Sequence, residues 1–167
     1  QYSFVYCIKI CKLNNMRKSN HLEYLKKGDL VAIVSVAKYI SITDCQLAIR
    51  LIKRLGLEVF DIRKTILPRI GMFSGSDEER IEMFQSVLDN KNVKAIFFAR
   101  GGYGSIRIID KLNFNKFLIN PKWLVGFSDI TVFLSHISKN FNLPSIHSPM
   151  PINYKESSKK SIKEIFN

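Results

Sequence analysis

Two short stretches carry residue types that could do chemistry. The first is Gly126-Phe127-Ser128-Asp129, where an apolar run stops and a helix-like segment follows. The second is Arg100-Gly101-Gly102-Tyr103-Gly104, which follows another apolar run. Ser128 has two readings. Ser, Asp and Thr are favoured at helix N-termini, so Ser128, Asp129 and Thr131 would serve as a cap. A sharp strand-turn-helix would instead lift the Ser128 hydroxyl above a sheet as a nucleophile. The hydrolase pattern GxSxG is not met, because Ile130 stands where its second glycine would be. The glycine loop is equally open. Its glycines permit left-handed backbone and close approach to a ligand, with N–H groups turned toward an anion, or they form a plain flexible turn. It is not GxGxxG and no Lys-Ser/Thr follows, which argues against nucleotide binding.

A serine nucleophile needs a base to take its proton, and its intermediate needs oxyanion donors worth about 3 kcal/mol each. His136 lies on the helix expected after Ser128, about 12 Å along its axis, and is out of reach. His147 ends the next apolar run and can lie near the site, whereas His21 precedes the first strand and is expected to be exposed.

The elements that must position these loops are legible from pattern. The continuous run at 30–37 reads as a strand buried on both faces and 93–99 as another buried strand, while 57–62, 122–127 and 144–148 read as the remaining strands. Thr43 with Gln46 and Ser76 with Glu79 are spaced as capping boxes. Leu47, Ala48, Leu51, Ile52 and Leu55 line one helix up to Gly56; Ile81, Phe84, Val87 and Leu88 line the next. Ser105–Leu112 reads as a short helix and Asp129 to Lys139 as a longer one. Strands alternating with helices imply an α/β fold, an open parallel sheet flanked by helices with right-handed crossovers. Ligands of such sheets sit at the C-terminal ends of the strands, where both loops fall.

Composition narrows the class. The chain has 167 residues, 46% hydrophobic and 24% charged, enough for one domain with a core. No run of eighteen apolar residues suggests a membrane span, and the opening QYSFVYCIKI is interrupted too early by Lys9 for a signal peptide. Cys7, Cys11 and Cys45 show no CxxC spacing and read as structural, in a reducing compartment. The net charge of +12 is scattered, without a basic stripe interleaved with aromatics, and reads as a solvated surface rather than a nucleic-acid face. The first residue is glutamine, so residues 1–26 read as a leader of a fragment, or as sequence upstream of a start at Met16. Residues 27–150 read as the nucleophile domain and 151–167 as the start of a linker.

Taken in order, GSDEER, ARGGYGSIRIIDKL, NPKWLVGFSDIT and IHSPM resemble the LD-carboxypeptidases, serine peptidases whose relatives include the microcin C self-immunity proteins. The resemblance runs from about Lys27 to Met150 and into ESSKKSIKEIF. It implies a Rossmann-like sheet, as in the N-terminal domain of class I glutamine amidotransferases. It implies a Ser-His-Glu triad that removes the terminal D-alanine of murein tetrapeptides during cell-wall recycling in the cytoplasm. No metal, cofactor, nucleic acid or membrane is involved, and homodimers are common. On this resemblance Ser128 is the nucleophile and also caps its helix. The amides of Asp129 and of Gly102 or Gly101 form the oxyanion hole, and Arg100, Gly101, Tyr103, Gly104 and His147 line the pocket. The family's Glu and His come from a C-terminal domain, so these 167 residues alone are expected to hydrolyse nothing appreciable. The alternatives are an immunity-type hydrolase and a non-catalytic remnant that binds peptidoglycan fragments. Two departures stand out: Ser35-Val36-Ala37-Lys38 where the family tends to have Ala-Pro-Ser, and His147-Ser148-Pro149 where it commonly has His-Gly-Pro.

Overall fold

A computed structural model describes residues 22–158, 160 and 162. Cys7, Cys11, Met16 and His21 lie outside them. Five parallel strands form the sheet: β1 (Leu30–Val34), β2 (Glu58–Val59), β5 (Val93–Phe98), β6 (Trp123–Gly126) and β7 (Ile146–His147), in the spatial order β2-β1-β5-β6-β7. Between β2 and β5 comes an antiparallel hairpin of β3 (Arg69–Ile70) and β4 (Phe73–Ser74). The helices are α1 (Gln46–Arg54), α2 (Asp77–Asp89), α3 (Ser105–Ile108), α4 (Asn115–Ile119) and α5 (Thr131–Phe141). The strand order reverses between β1 and β5, so the sheet has a topological switch point there.

The continuous apolar runs are explained by burial on both faces. Val31, Ile33, Ala95, Phe97 and Val125 point to one side, where Ala48 and Ile52 of α1 and Tyr154 cover them. Ala32, Val34, Ile96, Phe98 and Leu124 point to the other, against α2 and α5. There Phe98 stacks on Phe133 at 5.5 Å between ring centroids, and Phe84 meets both edge-on. Gly126 is required at the end of β6: a β-carbon would come 3.0 Å from Ile130 and 3.3 Å from Phe98. Among the described residues no helix is long and apolar enough to cross a membrane.

Several expected boundaries shift. Of 57–62 just Glu58–Val59 pairs, and of 144–148 just Ile146–His147, because these are the edge strands. The Ser76–Glu79 capping box is present in both directions, at 3.2 and 2.7 Å. The Thr43–Gln46 box is not. Thr43 opens a 3₁₀ turn with no side-chain cap, and the reciprocal bonds form two residues earlier: the Ser41 hydroxyl donates to Asp44 at 2.7 Å and accepts from Asp44 N–H at 3.2 Å. Leu55, expected on the buried face of α1, lies past its C-terminus and is 42% exposed. Cys45 is buried, which pushes its thiol up to about 12, as an inert core residue. Lys122 is buried too, its ammonium donating to the carbonyls of Leu88 at 2.6 Å and Asn90 at 3.1 Å beyond the end of α2.

Candidate active site

The sheet delivers three segments to one rim. β1 runs on through Ser35 to Lys38, β5 into the glycine loop, and β6 into Ser128. The first is fixed by Ser35, whose hydroxyl contacts Thr65 O at 3.2 Å and the Ser74 hydroxyl at 2.5 Å. The first and second are joined by Arg80 of α2, which is fully buried. Its Nη1 donates to Val36 O at 2.7 Å and to Gly104 O at 3.3 Å, and Nη2 pairs with Asp77. Burial pushes the Arg80 guanidinium down, opposed by the Asp77 charge. Asp77 also binds Arg107, which, foremost among the causes, holds its carboxyl below the ordinary range.

Ser128 sits directly after β6 with φ of 62°. Among the described residues the other non-glycine with positive φ is Asn142, the left-handed cap ending α5. Positive φ costs an L-residue roughly 1–2 kcal/mol, so Ser128 is held on a strained elbow by what surrounds it. The expectation that it also caps the helix is not met. Phe127 occupies the N-cap position of the 3₁₀ turn that Ser128 opens, and no side-chain capping bond forms there. Asp129 caps a different helix: its carboxylate accepts from Ser105 N–H, at the start of α3, at 3.0 Å.

The glycine loop closes on this elbow. A β-carbon on Gly101 would lie 3.3 Å from Ser128 Cβ and 3.4 Å from Asp129 N, so only glycine lets the loops touch without displacement. Gly102, at φ 116°, lies under the Lys38 side chain, where a β-carbon would come within 2.6 Å. Among the described residues no backbone acceptor pairs with the N–H of Gly101, Gly102 or Asp129. These amides are free to meet an anion formed beside Ser128.

Of the sequence-predicted site residues, Arg100, Gly101, Gly102 and Ser128 line one open cleft of about 240 Å³. Phe127, Met150 and Asn153 complete its walls. Gly104 and Tyr103 stand outside it. Gly104 is pressed against Arg80 at φ 127°, and the Tyr103 ring, 46% exposed, packs on Phe73 at 6.0 Å. His147 ends β7 and its ring meets Phe127 edge-on at 6.0 Å, behind the cleft wall. His136 is stacked on Phe114 at 4.9 Å, away from the elbow.

Sequence reasoning missed Lys38, Arg69 and Arg80. Lys38 lines the cleft. Arg80 had a signal: it lies four residues before Phe84 on the stripe that also holds Val87, a charge on the apolar face of α2. Arg69 had none, since the short β3–β4 hairpin shows no alternation to read.

Comparison with known proteins bears on the family and the fold. The family model for the LD-carboxypeptidase N-terminal domain matches residues 31–148. The chain is 32% identical over 126 residues to a probable murein peptide carboxypeptidase of Bacillus subtilis, covering 75% of this chain and 39% of that protein. Among solved structures, a muramoyltetrapeptide carboxypeptidase from Oxalobacter formigenes superposes with a TM-score of 0.71 at 30% identity, covering 81% of this chain and 46% of that one. An MccF-like protein from Bacillus anthracis superposes at 0.73 with 26% identity, over 86% of this chain and 45% of that one. The chain thus spans less than half the length of the relatives it matches.

Proposed function

This chain belongs to the LD-carboxypeptidase family, and on that premise we propose that it carries the nucleophile and oxyanion hole of a serine carboxypeptidase acting on murein tetrapeptides. The observation that carries the reading is Ser128 at φ 62°, between β6 and α5, with Gly101 packed against its β-carbon. A left-handed backbone at a non-glycine residue is a strained state, and it clusters where a side chain must be presented. The Ser128 Oγ would attack the carbonyl carbon of the L,D peptide bond as its proton passes to a base. The oxyanion would receive the amides of Asp129 and Gly102. Collapse would break the C–N bond, the D-alanine amine leaving with a proton, and water would then hydrolyse the acyl ester.

Neither described histidine is placed as that base: His136 is stacked on Phe114 and His147 stands behind Phe127. The base is therefore assigned to residues outside those described here. The likeness to the MccF-like protein supports a second reading, an immunity-type hydrolase with the same nucleophile and a different acyl group. The test is conversion of tetrapeptide to tripeptide by a longer protein containing these residues, beside residues 1–167 and Ser128→Ala. The expected result is release of D-alanine by the longer protein alone, abolished by Ser128→Ala. Turnover by residues 1–167 that survives Ser128→Ala refutes the assignment of both nucleophile and base.

A further inference from the structure

Beside the Ser128 cleft lies a second basin of about 210 Å³, walled by Lys38, Tyr39, Arg69, Met72 and Arg100, and sharing Lys38 and Arg100 with the first. It has room for about seven waters, or one small organic group. Its frame is fixed by the backbone. Tyr39 N–H donates to Met72 O at 2.9 Å, and Arg100 Nη1 donates to Tyr39 O at 3.2 Å. Arg69 is anchored by Nε to Gly71 O at 2.8 Å, and its guanidinium lies over the Tyr39 ring at 6.0 Å.

Three cations converge there and no carboxylate lines either basin. Among the described residues, the ion pairs of this protein engage Lys26, Arg63, Arg80, Arg107 and Lys116, and none engages Lys38, Arg69 or Arg100. Asp44, whose charge feels Arg100 weakly, is held by Ser41 instead. The Arg69 and Arg100 forks keep terminal N–H donors that no described acceptor takes, and so does the Lys38 ammonium. Elsewhere the protein uses Asp77 to pair two arginines at once. Leaving three cations unpaired around one hollow is a different arrangement, suited to an anion brought from outside.

We propose that this basin is a carboxylate-recognition subsite, in which Arg69 and Lys38, with Arg100 between the basins, hold an anionic group of the peptide whose amide bond lies at Ser128. The inference rests on the peptidase reading for the identity of the ligand, but not for the existence of the anion site. Met72 and the Tyr39 ring supply apolar walls for the carbon that bears the carboxylate. Lys38 acts with its ammonium while its stem covers Gly102, so that Lys38→Met removes the charge and keeps the packing.

The test is binding to the 167-residue chain, by calorimetry, of murein tetrapeptide and of tetrapeptides amidated at one carboxylate at a time, with inorganic phosphate as a separate probe. Wild type, Arg69→Gln and Lys38→Met are compared after thermal melts verify that each is folded. Losing one charge-assisted contact weakens binding about tenfold. The expected result is that loss for the acid in each variant, with one amidated peptide binding wild type equally weakly and losing nothing further in Arg69→Gln. Unchanged affinity of the acid in both variants overturns the subsite, as does no binding of either peptide or phosphate to wild type. Phosphate binding that depends on Arg69, without peptide binding, keeps the anion site and refutes the peptidase reading instead.

Discussion

Replacing Ser128 by glycine should stabilise this protein while removing the hydroxyl proposed as its nucleophile. At φ 62° the Ser128 β-carbon crowds its own backbone, a strain of roughly 1–2 kcal/mol for an L-residue. Glycine removes that strain but gives back about 0.5–1 kcal/mol through the freedom it adds to the unfolded chain. The side chain makes no capping bond that would be lost. The net expectation is a gain of about 0.75 kcal/mol, or about 1.5–3 °C in melting temperature for a domain of this size. Ser128→Ala keeps the β-carbon and therefore the strain, so it should melt with the wild type. Urea denaturation of the three proteins, followed by circular dichroism, separates the cases through the midpoint at constant slope. A glycine variant no more stable than the alanine variant refutes the reasoning, since the elbow would then hold no strain. On the proposed function both variants of the longer protein would lose turnover, so the experiment sets stability against chemistry at a single residue.

Two further expectations concern buried cations. Arg80→Met should cost about 2–4 kcal/mol, because Val36 O and Gly104 O lose a common donor while Asp77 keeps Arg107; a change below about 0.5 kcal/mol in urea titration, the scale of a plain surface substitution, contradicts the anchoring role. Lys122 is pushed down by burial from 10.5 to about 8. Between those values the unfolded chain binds the proton that the folded chain has released, so the lysine's contribution to stability rises with pH, by up to about 1.4 kcal/mol per unit. The stability difference between wild type and Lys122→Met, measured from pH 7 to 10.5, should therefore climb above pH 8. A flat or falling difference removes the claim. Tyr154, whose buried hydroxyl is pushed up, acts oppositely in both proteins and cancels.

The parallel sheet was legible because its central strands are buried on both sides: β1 is an unbroken apolar run and β5 is apolar but for the exposed Lys94. The edge strands were overestimated: of 57–62 and 144–148 only Glu58–Val59 and Ile146–His147 are strand, with Phe60 and Ser148 each adding one N–H bond, to Val31 O and Gly126 O. The Ser76–Glu79 cap is a local bond pattern and could be read. The Thr43–Gln46 spacing satisfies the same template, yet Ser41 and Asp44 form the bonds, since the chain enters α1 through a 3₁₀ turn that the spacing cannot reveal. Of the site, the glycine loop and Ser128 were visible as unusual sequence. That Ser128 has positive φ and leaves the N-cap position to Phe127 could not be read, because a serine before a helix looks the same whether its φ is negative or positive. Arg69 and Lys38 were illegible as partners, since their meeting depends on a hairpin with no periodicity of its own.

The double attachment of Asp129 bears on how such a site can change over generations. Its amide nitrogen lies 3.4 Å from where a β-carbon on Gly101 would stand, and its carboxylate is fastened to the glycine loop at Ser105. Every replacement but proline keeps the amide, whereas any that loses the carboxylate releases the elbow from the glycine loop. The Arg69 side chain, by contrast, bonds within its own hairpin, to Gly71 O. Variation in what the site accepts has an open route through the hairpin wall, where residues can be exchanged singly, and a closed one through the elbow.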